Sequence, residues 1–204
     1  MRRSRLLVAT GLALTMVATG LSSVAVADHV DSMYPTANAA TPCSDGTITS
    51  GSLCETDNAT LEVYRQASVG TIGKQQIRTT LDSSYNATDL TVRYEDPPVY
   101  TGPAETDIIY RVRDVPGTAI GITFCNDAVT ETKCDQHYVT FQRQPAVPIA
   151  CHETGHAVGL LHPGDADPRV SEDGLDQLSF RCMTNLGFDP TLGPHNARQI
   201  NATY

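Results

Sequence analysis

"CHETGHAVGLLHPGD", residues 151–165, places three of the chain's six histidines within eleven positions. His152 and His156 are four apart, so on a helix both rings leave one face a single turn apart and can reach one ion. Glu153 is the next residue round the helix and leans over the same point without ligating it. Gly159 takes a positive φ at no steric cost, so it ends the helix and turns the chain sharply. That turn brings His162 back as a third ligand. Three neutral imidazole nitrogens with a fourth position open are the donor set of catalytic rather than structural zinc. The bland alternative is a helix that happens to carry histidine, and five positions in one register weigh against it. Gly155 adds a separate signal. Glycine in an exposed helix costs about 1 kcal/mol relative to alanine, so its presence predicts another stretch of backbone passing close by.

The rest of the chain sets the context. Of its 204 residues, the first five are the basic "MRRSR", followed by a sixteen-residue apolar run and then Ala25-Val26-Ala27. A membrane span needs about 20 apolar residues. The shorter run, with a small-x-small site behind it, reads as a secretory signal peptide over residues 1–27. The mature chain, 28–204, then suits one domain: an irregular N-terminal segment at 28–58, a candidate for a short pro-segment, and a catalytic domain at 59–204. Of the 14 basic residues the leader takes three, leaving 11 against 23 acidic side chains, a net charge of −12. Such a surface repels nucleic acid and anionic lipid. The reading is a secreted, extracellular monomer, with no nucleic acid and, after cleavage of the leader, no membrane.

Six cysteines in an exported chain read as three disulfides. Fifteen pairings exist. Cys43 with Cys54 and Cys125 with Cys134 are the local ones, and they leave Cys151 with Cys182.

Alternating apolar residues predict strands at Leu61–Val63, Leu90–Tyr94, Ile108–Val112, Ile120–Phe124 and Val139–Phe141. Ile77, Leu81 and Tyr85 recur at helical spacing. Pro148 suits the first residue of the histidine helix, and Ala197, Ile200 and Tyr204 suggest a last one. The two remaining candidates outside the signature, His137 and His195, are expected at the surface. Asp165 and Asp167, in a Gly/Pro loop, are a thin case for calcium.

His152-Glu153-x-x-His156-x-x-Gly159-x-x-His162, with Met183 in "RCMTNLG" twenty-one residues further on, resembles the signature and Met-turn of the metzincin zinc metallopeptidases. The resemblance implies an α+β fold. It would have a mixed, twisted five-stranded sheet, an active-site helix, and a smaller irregular C-terminal part ending in a helix. It implies one catalytic Zn2+ on His152, His156 and His162, with Glu153 as general base and Met183 as an apolar floor beneath the ligands. A Cys151–Cys182 bridge would then tie the helix to that floor. The partner it implies is a protein or peptide substrate, which would lie extended along an edge strand, for which "GTAIGITF" (117–124) is the candidate. Residues Thr184 to Pro194 would wall the pocket for the residue after the cut. The chain departs from the family pattern in three places. Pro163 follows the third histidine where several subfamilies carry Ser, Asp or Glu. Asn185 stands where some carry a tyrosine ligand. No "PRCG" segment lies upstream. The subfamily is therefore unassigned. The competing function is a zinc-binding or disulfide-stapled extracellular module that binds partners without cutting them.

Overall fold

The computed structural model describes residues 29–102, 104–172, 180–184 and 189–204. The leader read at 1–27, and Asn185, lie outside these.

Among the described residues the chain forms a six-stranded sheet with helices packed on it, one strand more than the five expected. The strands are β1 (Glu55–Thr56), β2 (Thr60–Arg65), β3 (Thr91–Tyr94), β4 (Ile108–Val112), β5 (Gly121–Ala128) and β6 (Lys133–Phe141). Their order is β3-β2-β4-β6-β5, with β1 lying beside the first residues of β6. All pairs are parallel except β5 with β6. β1 escapes a periodicity argument because two residues hold no alternation.

Alternation explains which face is covered. Leu61 and Val63 of β2, Ile108 and Tyr110 of β4, and Val139 and Phe141 of β6 all point to one side and form the core. On that side lie α1 (Gly70–Thr80) and α2 (Val147–Ala157). α1 continues as a π turn over Leu81–Tyr85, so Ile77, Leu81 and Tyr85 all stay inward and fully buried. Each such side chain contributes about 1.5–3 kcal/mol on leaving water. Pro148 is the second residue of α2 rather than the first, where its missing N–H still breaks no helical bond. α3 (Pro194–Thr203) closes the described chain.

The three disulfides are Cys43–Cys54, Cys125–Cys134 and Cys151–Cys182. The second spans the hairpin turn and staples the adjacent strands β5 and β6.

Residues 31–38 carry little regular structure but act as a strap. Tyr34 N–H donates to the Gly159 carbonyl at 2.8 Å and Leu161 N–H to that of Ser32 at 2.9 Å. Asp31 and Asp167 exchange both backbone bonds, at 2.8 and 2.7 Å. Thr36 Oγ1 donates to Asp165 O and Asn38 Nδ2 to Ala166 O. Asp165 and Asp167 are thus engaged through their main chain, and neither joins a metal-ligand cluster among the described residues.

His137 and His195 are not at the surface. His195 is 1 % exposed, with Nε2 2.9 Å from Ser32 Oγ and its ring against Phe180. His137 is fully buried because it shares the covered face of β6 with Val139 and Phe141, and neither ring nitrogen has a hydrogen-bond partner among the described residues. Burial pushes its pKa from 6.5 down to about 3. Above pH 6.5 both folded and unfolded chains hold it neutral. Between pH 6.5 and 3 only the unfolded chain takes up the proton, so this histidine draws stability away as pH falls, by about 1.4 kcal/mol per pH unit. Urea titrations at pH 7 and pH 4 should therefore show a smaller difference for His137→Leu than for the wild type; an equal difference would mean that His137 takes up its proton equally in the folded and unfolded chains.

Candidate metal centre

α2 presents His152 and His156 one turn apart, as the spacing requires. The helix stops at Ala157, and Gly159, at φ +91°, reverses the chain. A Cβ at Gly159 would also meet Met33 Sδ and Glu55 Cγ, both at 2.9 Å. Beyond the turn, His162 comes back over the helix.

The three Nε2 atoms face one another at 3.2 Å (His152–His156), 3.1 Å (His156–His162) and 3.0 Å (His162–His152). Nitrogens bound about 2.0–2.1 Å from a tetrahedral centre sit about 3.3 Å apart. The observed triangle is within a few tenths of an ångström of that. The far side of the rings decides the tautomer. His152 Nδ1 lies 2.6 Å from the Cys182 carbonyl and His156 Nδ1 2.9 Å from the Leu160 carbonyl. A carbonyl only accepts, so each Nδ1 carries the proton and each Nε2 keeps its lone pair for the centre. Burial lowers all three pKa values: His152 to about 4, His156 well below its usual range, and His162 in the same direction. Neighbouring imidazoles add to the effect at His152 and His156. Three neutral nitrogens converging on one point fit a zinc ion.

Glu153 is 6 % exposed and lies beside this triangle, against β5. Thr123 Oγ1 is 2.8 Å from both its backbone carbonyl and its Oε2. Burial pushes the carboxyl up to about 7, and the Thr123 hydrogen bond works the other way. A Cβ on Gly121 would lie 2.5 Å from Glu153 Oε1. The space for the carboxylate therefore exists because residue 121 has no side chain. Neither role showed in the sequence: threonine in an alternating run reads as an ordinary strand former, and the glycine as a weak point of the strand.

Met183 is fully buried and packs against α2 at Gly155. It also accounts for Gly155. A Cβ there would sit 2.1 Å from Met183 Sδ and 3.3 Å from the Tyr85 hydroxyl, so the close neighbour is a side chain and not the expected backbone. Tyr85 Oη donates to the Cys151 carbonyl at 2.6 Å, and Tyr110 and Thr154 share a hydroxyl contact at 2.9 Å. Cys151 and Cys182 join the helix to the segment carrying Met183, the same segment whose carbonyl orients His152.

The triangle and Glu153 open into a cleft of about 430 Å³. It is lined by residues 119–123, by Ile149 and the site residues of α2, and by Leu53 and Thr184. Thr184 is where the expected pocket wall begins; residues 185–188 lie outside the described residues.

No family model matches the chain, and no curated protein matches it. Among solved structures, the crystal structure of myroilysin superposes with a TM-score of 0.34 at 17% identity, over 63% of this chain and 57% of that one. The chain thus spans little more than half of that neighbour, and so loose a superposition says nothing about chemistry.

Two effects should follow removal of the Cys151–Cys182 bridge by paired substitution with alanine. Unfolding free energy in urea should fall by about 2–4 kcal/mol. Zinc affinity, read by chelator competition, should fall by about 10–100-fold as the Cys182 carbonyl loosens from His152. Unchanged affinity with lowered stability would assign the bridge to the fold alone.

Proposed function

We propose that the protein is an exported zinc-dependent endopeptidase, with His152, His156 and His162 as ligands and Glu153 as general base. The observation that carries the reading is the Nε2 triangle with 3.0–3.2 Å sides and a buried carboxyl beside it. A zinc ion held there supplies Lewis acidity, polarising a carbonyl and lowering the pKa of water to about 7. Glu153, buried beside the triangle, stands where it would take the proton from the attacking water and return it to the leaving nitrogen. Thr123 holds the carboxylate in place through Oε2, and Gly121 leaves it room.

β5 pairs only with β6 among the named strands, so it is the edge along which an extended peptide would add. Ile120, Ile122 and Ile149 make the cleft wall apolar beside the metal centre, which suits an apolar side chain next to the scissile bond. Three disulfides and an acidic surface suit an oxidising, extracellular setting. Residues 31–38 serve this reading as a strap that stays in place, since they bond the loop carrying His162 and leave the cleft free.

The decisive experiment is cleavage of an unfolded protein with and without chelator, alongside Glu153→Ala. The expected outcome is activity abolished by chelator and restored by zinc. Glu153→Ala should retain metal while losing about 10²–10⁴-fold in kcat. Cleavage by Glu153→Ala equal to wild type would overturn the mechanism. Metal binding without cleavage in the wild type would favour the non-proteolytic module.

Thr123→Val should lower kcat by about tenfold or more with little change in KM, because the hydroxyl touches the base and not the substrate. Thr123→Ser should restore most of the loss. A valine variant with wild-type kcat would remove Thr123 from the machinery.

A further inference from the structure

Among the described residues, the outer edge of β5 is open over part of its length and closed over the rest. In an antiparallel pair, alternate residues turn their N–H and C=O toward the partner strand, and those between turn them outward. Ile120 faces β6, since its carbonyl accepts from Gln142 N–H at 3.0 Å. Gly121, Thr123 and Cys125 are then the outward residues. At Cys125 the outward groups are already taken. Its carbonyl accepts from Gly46 N–H at 2.9 Å and its N–H donates to Ser52 O at 3.3 Å. Further along, Asp45 Oδ1 accepts from Ala128 N–H at 2.8 Å. The loop that supplies these partners is closed by Cys43–Cys54, whose Cα atoms are 5.4 Å apart. It is pressed against the strand: a Cβ on Gly51 would fall 2.0 Å from Phe124 Cβ. Leu53, at the loop's end, reaches the cleft wall.

We propose that this disulfide-closed loop is a built-in stop across the cleft, which limits the substrate to about two residues before the scissile bond. The proposal rests on the peptidase reading above. Its geometry is set by Glu153, whose carboxylate lies against Gly121 and Thr123, so the reacting bond lies opposite that pair. Cys125 is two residues further on, about 6.8 Å along the strand. A peptide adding antiparallel to β5, the more stable pairing, has its N-terminal part on the Cys125 side. There it meets backbone groups already bonded to Gly46 and Ser52. It must begin at that point or leave the surface. On the other side, the edge from Gly121 back toward Ile120 is apolar and, among the described residues, uncovered, with Ile120 44% exposed. Discrimination therefore falls on the residues after the cut.

The test uses the zinc-loaded full chain and a series of synthetic peptides sharing one scissile pair. One set is lengthened from one to four residues on the N-terminal side, the other likewise on the C-terminal side. Cleavage is read as kcat/KM on the wild type, and binding as Kd on Glu153→Gln. N-terminal lengthening beyond two residues should change either quantity by less than about twofold, while C-terminal lengthening should improve both by about tenfold or more. A rise of more than threefold for each of the third and fourth N-terminal residues, or a plateau on the C-terminal side instead, would overturn the stop. A failure of the peptidase reading looks different: no peptide is cut, yet the binding series keeps its plateau. If no peptide binds at all, the stop is overturned as well. A second variant replaces residues 45–52 by Gly-Gly, a span that the 5.4 Å closure permits. It should gain dependence on the third and fourth N-terminal residues, and a folded variant that keeps the wild-type plateau would contradict the assignment.

Discussion

Three nitrogen lone pairs held 3.0–3.2 Å apart are an unfavourable arrangement by themselves. They repel, and a proton on any one of them would disturb the others. Burial keeps the rings neutral, and carbonyls behind His152 and His156 fix which nitrogen carries the hydrogen. Most of what surrounds the triangle serves that constraint. α2 sets the first two rings in register. Gly159 brings the third round. The Cys182 carbonyl and the Cys151–Cys182 bridge hold the helix and the Met183 segment in one frame.

The contact at Met183 shows how tightly that frame is fitted. Met183 Sδ occupies the volume that a side chain at Gly155 would need, while Tyr85 hydrogen-bonds the helix from the same side. Sulfur is adaptable in shape, which suits so close an approach to a helix backbone. On the opposite side of α2, Gly121 repeats the device, with an absent side chain making room for a carboxylate. Two glycines, one in a helix and one in a strand, thus bracket the site by omission.

Much of this was legible in the sequence because it is local. The i, i+4 histidines, the Gly159 turn, the alternation through Ile108–Val112 and the close cysteine pairs depend only on neighbours along the chain. What was not legible depends on contacts between distant segments. Gly155 invited a backbone neighbour, yet its partner is a side chain twenty-eight positions later. His137 and His195 looked like surface residues because polar type alone says nothing about which strand lands over them. Thr123 carries no mark of its contact with Glu153. The strap at 31–38 shows no hydrophobic period because it binds mostly through backbone groups and short polar side chains, which have none.

That strap gives the site an unusual dependence on the whole chain. A peptide containing only residues 151–162 could place two imidazoles by helix geometry, but its third would wander. The order of the His162 loop comes from residues about 130 positions earlier, and that of His152 from a carbonyl thirty positions later. Closing such long loops costs chain entropy that only a completed fold offsets. The triangle is therefore a property of the folded domain and not of its motif. A chain opened at either end carries the signature without the site.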